Sequence, residues 1–175
     1  MSVFFIAEAG VNHNGDLNIA RKLIDVAAHT GADAVKFQTF KADTTVAKNT
    51  KTVAYQALTT KEGSQYDLLK RLELSEDNHH ALIAHAKNCG IEFMSTAFDE
   101  DCAKFLFDVG VQRIKVPSGE ITNLPFIRHL AQYELPIILS TGMASQDEVD
   151  RAVEMIKNAC GNVKKTEPMT MPIGP

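Results

Sequence analysis

An α/β fold built on a parallel sheet, of the barrel kind with its site in the mouth, is predicted by three observations. Apolar strand patterns alternate with helical patterns through short turns, which calls for parallel strands joined by crossover helices. Most of the helical patterns open on a capping residue and close on glycine. Two lysines, Lys36 in DAVKFQTF and Lys115 in RIKVPSGE, stand in the middle of short apolar strands. An ammonium there is costly unless something anionic meets it. Alternation sets Val35 and Phe37 on one face and Lys36 and Gln38 on the other, and likewise opposes Ile114 and Val116 to Lys115. Apolar residues turned outward to helices and scattered polar residues turned inward suit a barrel whose guest is an anion.

The elements follow in order. VFFIAEAG reads as the first strand and VNHNG as the loop after it. Asp16 caps a helix whose Ile19, Leu23, Val26 and Ala27 are expected to share its inner face, and Gly31 stops it. DAVKFQTF is the second strand. Lys41 to Leu74 is a long excursion without strand character. Ser75 then caps a helix with Glu76 and Asp77 in its first turn, where the macrodipole favours acids. Gly90 ends that helix and IEFMSTAF is the third strand. Asp99 opens the next helix, Gly110 closes it, and QRIKVPS is the fourth strand. Asn123 with Pro125 starts a further helix, and PIILSTGM is the fifth strand. Ser145 and Glu148 form a capping box before a helix carrying Val149, Ala152, Val153 and Ile156, which Gly161 ends.

The count stops at five units, whereas a closed eight-fold barrel takes typically about 250 residues. After Gly161 the chain offers NVKKTEPMTMPIGP, whose lysines and prolines do not suit a buried central strand. Residues 3–161 are therefore expected to form a partial barrel and 162–175 an atypical tail. A doubly wound five-strand sheet fits the same length and stays open as an alternative. The absence of G-x-G-x-x-G and G-x-x-x-x-G-K-[ST] after any strand weakens its nucleotide-binding versions.

A net charge of -4 with no basic run argues against nucleic acid as a partner. The first apolar stretch is interrupted by Glu8, lacks a basic lead and is too short for a bilayer, so neither a membrane span nor a secretory signal is expected. Cys89, Cys102 and Cys160 are odd in number and widely spaced, which suits free core thiols in a reducing cytoplasm.

In parallel α/β architectures the residues at the carboxyl ends of the strands meet the ligand. Here these are Glu8, Lys36, Gln38, Thr96, Lys115, Ser118, Glu120, Ser140 and Thr141. Two ammoniums, several hydroxyls and two carboxylates suit a small acidic ligand that also carries hydroxyl or carbonyl groups. Glu8 or Glu120 could act as a general acid or base if burial raises its pKa. Plainer readings compete. Lys36 could simply pair with Glu8, Glu120 could cap the turn before Ile121, and the hydroxyls could be ordinary strand-end residues. His13 reads as a turn residue. His79, His80 and His85 read as surface positions without the spacing of a zinc pair, and His29 and His129 as structural. Cys102 lacks an activating neighbour.

The segments IAEAGVNHNGDLNIARKLIDVAAHTGADAVKFQTF, FMSTAFDE, KVPSGEITNLP and PIILSTGM resemble the N-acetylneuraminate synthase family, which includes synthases of legionaminic acid. The resemblance spans roughly residues 3–161. It implies a (β/α)8 TIM barrel, here cut after about five βα units, with the family's C-terminal antifreeze-like domain absent. It implies condensation of phosphoenolpyruvate with an N-acetylated hexosamine, N-acetylmannosamine or a diacetylated analogue, giving a nonulosonic acid and phosphate. A divalent metal, Mn2+ or Mg2+, would polarise the sugar aldehyde. The family's two metal-binding histidines and the arginine reaching across a homodimer lie beyond the matching segments, so the resemblance identifies the parent enzyme rather than full activity of this chain. By position, Lys36, Thr96, Lys115, Ser118 and Ser140 match residues around phosphoenolpyruvate, and Gln38 a substrate-pocket position. Glu8 and Glu120 match acids near the sugar, and Lys115 would also stabilise transferred charge. Ala97 stands where many relatives have proline. The rival readings are a Schiff-base lysine aldolase and a non-catalytic module binding phosphoenolpyruvate or a partner subunit.

Overall fold

The computed structural model describes residues 3–47, 50 and 64–160. Five parallel strands, β1 (Ile6–Gly10), β2 (Ala34–Thr39), β3 (Glu92–Ala97), β4 (Ile114–Val116) and β5 (Ile137–Leu139), lie side by side in chain order. The order never reverses, so the doubly wound alternative, which needs a switch point where the connection changes direction, is ruled out. The strands follow one another like the staves of a barrel, and among the described residues that barrel is not closed.

Five helices sit between or after the strands as the caps foretell. These are α1 (Leu17–His29), α4 (Glu76–Asn88), α5 (Glu100–Asp108), α6 (Leu124–Ala131) and α7 (Gln146–Ala159). Asp16, Ser75, Asp99, Asn123 and Ser145 each accept a hydrogen bond from a first-turn N–H, and Glu148 returns the bond at Ser145. Within the excursion the structure adds α2 (Ala42–Thr45) and α3 (Gln65–Leu72), the second capped by Ser64. Residues 51–63 of that excursion lie outside the described residues. So do Gly161, where a helix stop is expected, and the tail 162–175.

The main core fills the space between sheet and helices. Val35 and Phe37 of β2, Phe93 of β3 and Val116 of β4 pack against Ile24, Leu82, Leu106 and Ile127. This bears out the expected alternation, with apolar side chains outward and Lys36 on the other face. One detail differs. The buried face of α1 is Ala20, Ile24 and Ala27, while Ile19 is 38% and Val26 61% exposed. Leu23 and Ala27 hold their expected places, but the stripe is turned by one position.

A second, smaller cluster of Phe40, Leu68 and Leu72, with Val11 and Phe98 against it, lets α3 cover the loops that follow β1, β2 and β3. Gly15 allows this approach. Its φ of +80° is left-handed, and a Cβ there would lie 2.3 Å from the carbonyl oxygen of Arg71 at the end of α3. Gly15→Ala is therefore expected to lower stability by at least about 1 kcal/mol, read from the urea midpoint, whereas a surface alanine change costs little.

Candidate functional site

The sheet register gathers the predicted residues. Glu8 of β1 is opposite Lys36 of β2, Gln38 is opposite Thr96 of β3, and Thr96 is opposite Lys115 of β4. A bulge in β1 puts Ala9 out of register between Glu8 and Gly10, and Gly10 takes a φ of +52°. A Cβ at Gly10 would lie 3.3 Å from a Glu8 carboxylate oxygen and 3.8 Å from Gln38 Nε2, so the bulge leaves room for both side chains at the end of the strands.

Lys36 is buried and forms an ion pair with Glu8, the plainer reading of these two residues. It also reaches Thr96 Oγ1 at 3.5 Å. The carboxylate of Glu8 stays half exposed, so one end of the pair is open to an incoming group. Lys115 is arranged differently. Its ammonium donates to Ser140 Oγ at 2.5 Å and to the carbonyl of Val116 at 2.8 Å, and no carboxylate among the described residues forms an ion pair with it. Burial, reinforced by the nearby charge of Lys36 and opposed by Glu8, brings its pKa from an ordinary 10.5 down to about 8. Two cations thus share one region with a single carboxylate, an arrangement that a bound anion would relieve.

Ser118 begins a short 3-10 turn after β4, beside the loop that follows β5. A Cβ at Gly142 would sit 3.5 Å from its hydroxyl. Thr141 follows Ser140 and is exposed. Glu120 stands apart from the lysines in its bonding. It accepts from Asn123 Nδ2 at 2.8 Å, which ties it to the cap of α6. The structure thus links Glu8, Lys36, Thr96, Lys115 and Ser140 by direct contacts or register, with Gln38 and Ser118 adjacent. Glu120 occupies the bordering turn.

Two histidines depart from the sequence reading. His79 is not a surface residue; it is 1% exposed. Its Nδ1 donates to the Ser75 carbonyl and its Nε2 accepts from the Thr39 hydroxyl, which in turn accepts from Ser95. Burial holds the imidazole pKa below its usual value, so the neutral ring that this chain of bonds requires is favoured. The network lies on the outer face of β2 and β3 and fixes those strands to α4. His13 is more than a turn residue: it is fully buried against Phe37, and its Nδ1 accepts the Gly15 N–H at 3.0 Å. No local pattern marks either one, since His79 meets Thr39 from a distant strand and His13 is covered by Phe37. Cys102 is buried and its thiol is pushed far up by desolvation, which leaves it protonated and inert. Cys89 and Cys160 are also free and half buried at helix ends, Cys89 packed against the edge of the core.

The mouth offers few metal ligands. Among the described residues one group of three metal-ligating side chains converges, Asp25, His85 and Cys89, and it lies on the outer helices. No helix of the described residues is long and apolar enough to cross a membrane.

A model of the NeuB family matches residues 23–167. The N,N'-diacetyllegionaminic acid synthase of Legionella pneumophila is 54% identical over 163 residues, covering 93% of this chain and 46% of that protein. The synthase of the same name from Campylobacter jejuni is 47% identical over 167 residues, covering 95% of this chain and 49% of its own. The crystal structure of a sialic acid synthetase from Leptospira borgpetersenii, in complex with citrate, superposes with a TM-score of 0.79 at 33% identity, over 91% of this chain and 51% of that one. The chain spans about half the length of the curated relatives it matches.

Proposed function

The chain belongs to the NeuB family, and from that premise we propose that it is the phosphoenolpyruvate-binding portion of a sugar-acid synthase. The reaction is condensation of phosphoenolpyruvate with an N-acetylated hexosamine, N-acetylmannosamine or a diacetylated analogue, in the cytoplasm. The observation that carries this reading is the pairing of Lys36 and Lys115 on adjacent parts of one sheet face, with Thr96 between them and Ser140 on Lys115. Such a set neutralises a donor bearing both phosphate and carboxylate, and the hydroxyls orient its oxygens. The identity to legionaminic acid synthases favours the diacetylated sugar.

In this mechanism the methylene carbon of phosphoenolpyruvate attacks the sugar aldehyde and forms the new C–C bond. The electron pair comes from the enol double bond, leaving an oxocarbenium centre at the carbon that carries the phosphate. Water adds to that carbon and gives up a proton, the C–O bond to phosphate breaks, and inorganic phosphate leaves. Lys36 and Lys115 hold the anion and stabilise the charge that moves to the departing phosphate. Ser118 and Ser140 orient it, and Gln38 lines the pocket. Glu8, and Glu120 on the bordering turn, would exchange protons with the sugar oxygens. A manganese or magnesium ion, if bound, would polarise the aldehyde as a Lewis acid. The described residues of the mouth do not by themselves fit as its seat, since no three metal-ligating side chains converge there. Assembly as a homodimer belongs to the same proposal.

The test is phosphate release from phosphoenolpyruvate with each sugar in the presence of manganese. Release that requires the sugar is expected of the synthase. One observation favours a second reading: the depressed pKa of Lys115 would suit a Schiff-base aldolase. Borohydride trapping with pyruvate separates the two, because only the aldolase leaves a covalent adduct at Lys115.

The same lysine gives a pH prediction. Anion binding needs its charged form, so affinity for phosphoenolpyruvate is expected to fall above about pH 8, by up to about tenfold per pH unit. Folding responds with the opposite sign. Between about 8 and the ordinary 10.5 the unfolded chain binds a proton that the folded chain does not, so this group makes the protein more stable as pH rises through that window. Calorimetric titrations at pH 7 and 9 check the first, and urea midpoints the second.

A further inference from the structure

We propose that Asp25, His85 and Cys89 form a binding site for a borderline-soft divalent cation of the zinc class, on the outer helix layer and separate from the barrel mouth. His85 and Cys89 are four positions apart, so they share one face at the end of α4, and Asp25 reaches them from the neighbouring helix α1. Their ligand atoms, one imidazole nitrogen, one thiol sulfur and one carboxylate oxygen, all lie within 4.8 Å of one another. The combination is that of a three-ligand zinc site with an open fourth position.

The spacing can be compared with what a tetrahedral ion requires. Metal bonds of about 2.0–2.1 Å to nitrogen or oxygen and about 2.3 Å to sulfur place an oxygen and a sulfur ligand roughly 3.6 Å apart, and a nitrogen and an oxygen ligand roughly 3.3 Å apart. Cys89 Sγ is 3.6 Å from Asp25 Oδ1, already at the required separation. His85 Nε2 is 2.6 Å from the same oxygen, held by a hydrogen bond whose proton occupies the place of the ion. Opening that pair by less than an ångström and setting imidazole nitrogen and sulfur, which lie within 4.8 Å of each other, at roughly 3.6 Å completes the triangle. The adjustment is small because Asp25 is exposed and the other two are half buried. One carboxylate and one thiolate would balance the charge of a divalent ion. The site would staple α1 to α4, which pack side by side on the outer layer.

Cobalt(II) is the probe, titrated into the full chain with thiols kept reduced by a phosphine. A sulfur-to-cobalt charge-transfer band is expected, rising in one saturable phase and displaced by zinc. Cys89→Ser should abolish the band, while Cys102→Ser, Cys160→Ser and Lys36→Met should keep it. His85→Ala should weaken cobalt binding at least about tenfold, a scale reached even by outer-shell partners of metal sites. Zinc should raise the Tm of the unsubstituted chain and fail to raise that of Asp25→Asn, with circular dichroism confirming that each variant is folded. A folded, reduced chain that gives no thiolate–cobalt band overturns the proposal, as does a band that survives Cys89→Ser.

Discussion

Lys36→Met is expected to lower the affinity for phosphoenolpyruvate by roughly 30-fold or more. Truncating one partner of a desolvated charge contact costs about 2–5 kcal/mol, and each 1.4 kcal/mol is about a factor of ten in binding. The ammonium of Lys36 is buried, so its interaction with an anion is weakly screened. The variant is chosen so that loss of binding is not loss of fold. Methionine matches the stem of lysine in length, and the register neighbour of Lys36 on β3 is itself a methionine, Met94. The carboxylate left behind, Glu8, is 54% exposed and can be solvated. Calorimetric titration of phosphoenolpyruvate, alongside a urea melt of the same variant, reads both effects. Unchanged affinity would remove Lys36 from the site.

Phe37→Ala carries the largest expected effect on stability, a loss of about 3–5 kcal/mol. Phe37 follows Lys36 on β2 and points the other way. It is fully buried, stacked on Phe93 at 5.5 Å between ring centroids and in contact with the His13 ring at 6.1 Å. Truncation would open a cavity where β2, β3 and the loop after β1 meet. Against a total of roughly 5–15 kcal/mol for an intact domain, that loss leaves much of the chain unfolded. A shift in the urea midpoint without a change in slope measures it. A cost below about 1 kcal/mol would mean that Phe37 is not in the core. Successive side chains of a strand face opposite ways, so Lys36 turns to the proposed anion site while Phe37 fills the core.

The features that could be read from sequence were the local ones. Asp16, Ser75, Asp99, Asn123 and Ser145 announce their helices because each cap bonds a backbone N–H two or three residues away, an interaction that needs no tertiary partner. Lys36 and Lys115 stood out because charge inside an apolar strand has few structural explanations. The buried face of α1 is turned by one position from the stripe that its periodicity predicts. Its apolar residues, Leu17, Ile19, Ala20, Leu23, Ile24, Val26, Ala27 and Ala28, cover somewhat more than half of the helix circumference, so periodicity alone does not choose which part of that broad face is buried. The burial of His79 is not legible locally, because it meets Thr39 of β2, which is bonded in turn by Ser95 of β3, and that approach exists only in the folded sheet. Helix α3 had a legible signal in Ser64 with Leu68 and Leu72, yet its role as a cover over three loops depends on Phe40 and Phe98, far along the chain.

The linear order of the strands matters most for function. It places the ends of β1 to β5 in one continuous arc, so Glu8, Lys36, Thr96, Lys115 and Ser140 succeed one another along it. A doubly wound sheet would have separated some of them. Titrating phosphoenolpyruvate into the folded, unsubstituted chain at pH 7, with the Lys36→Met, Lys115→Met double variant in parallel, tests the central claim most directly. Saturable binding to the first and none to the second is the predicted result. No binding to the unsubstituted chain, or equal binding to both, would contradict it.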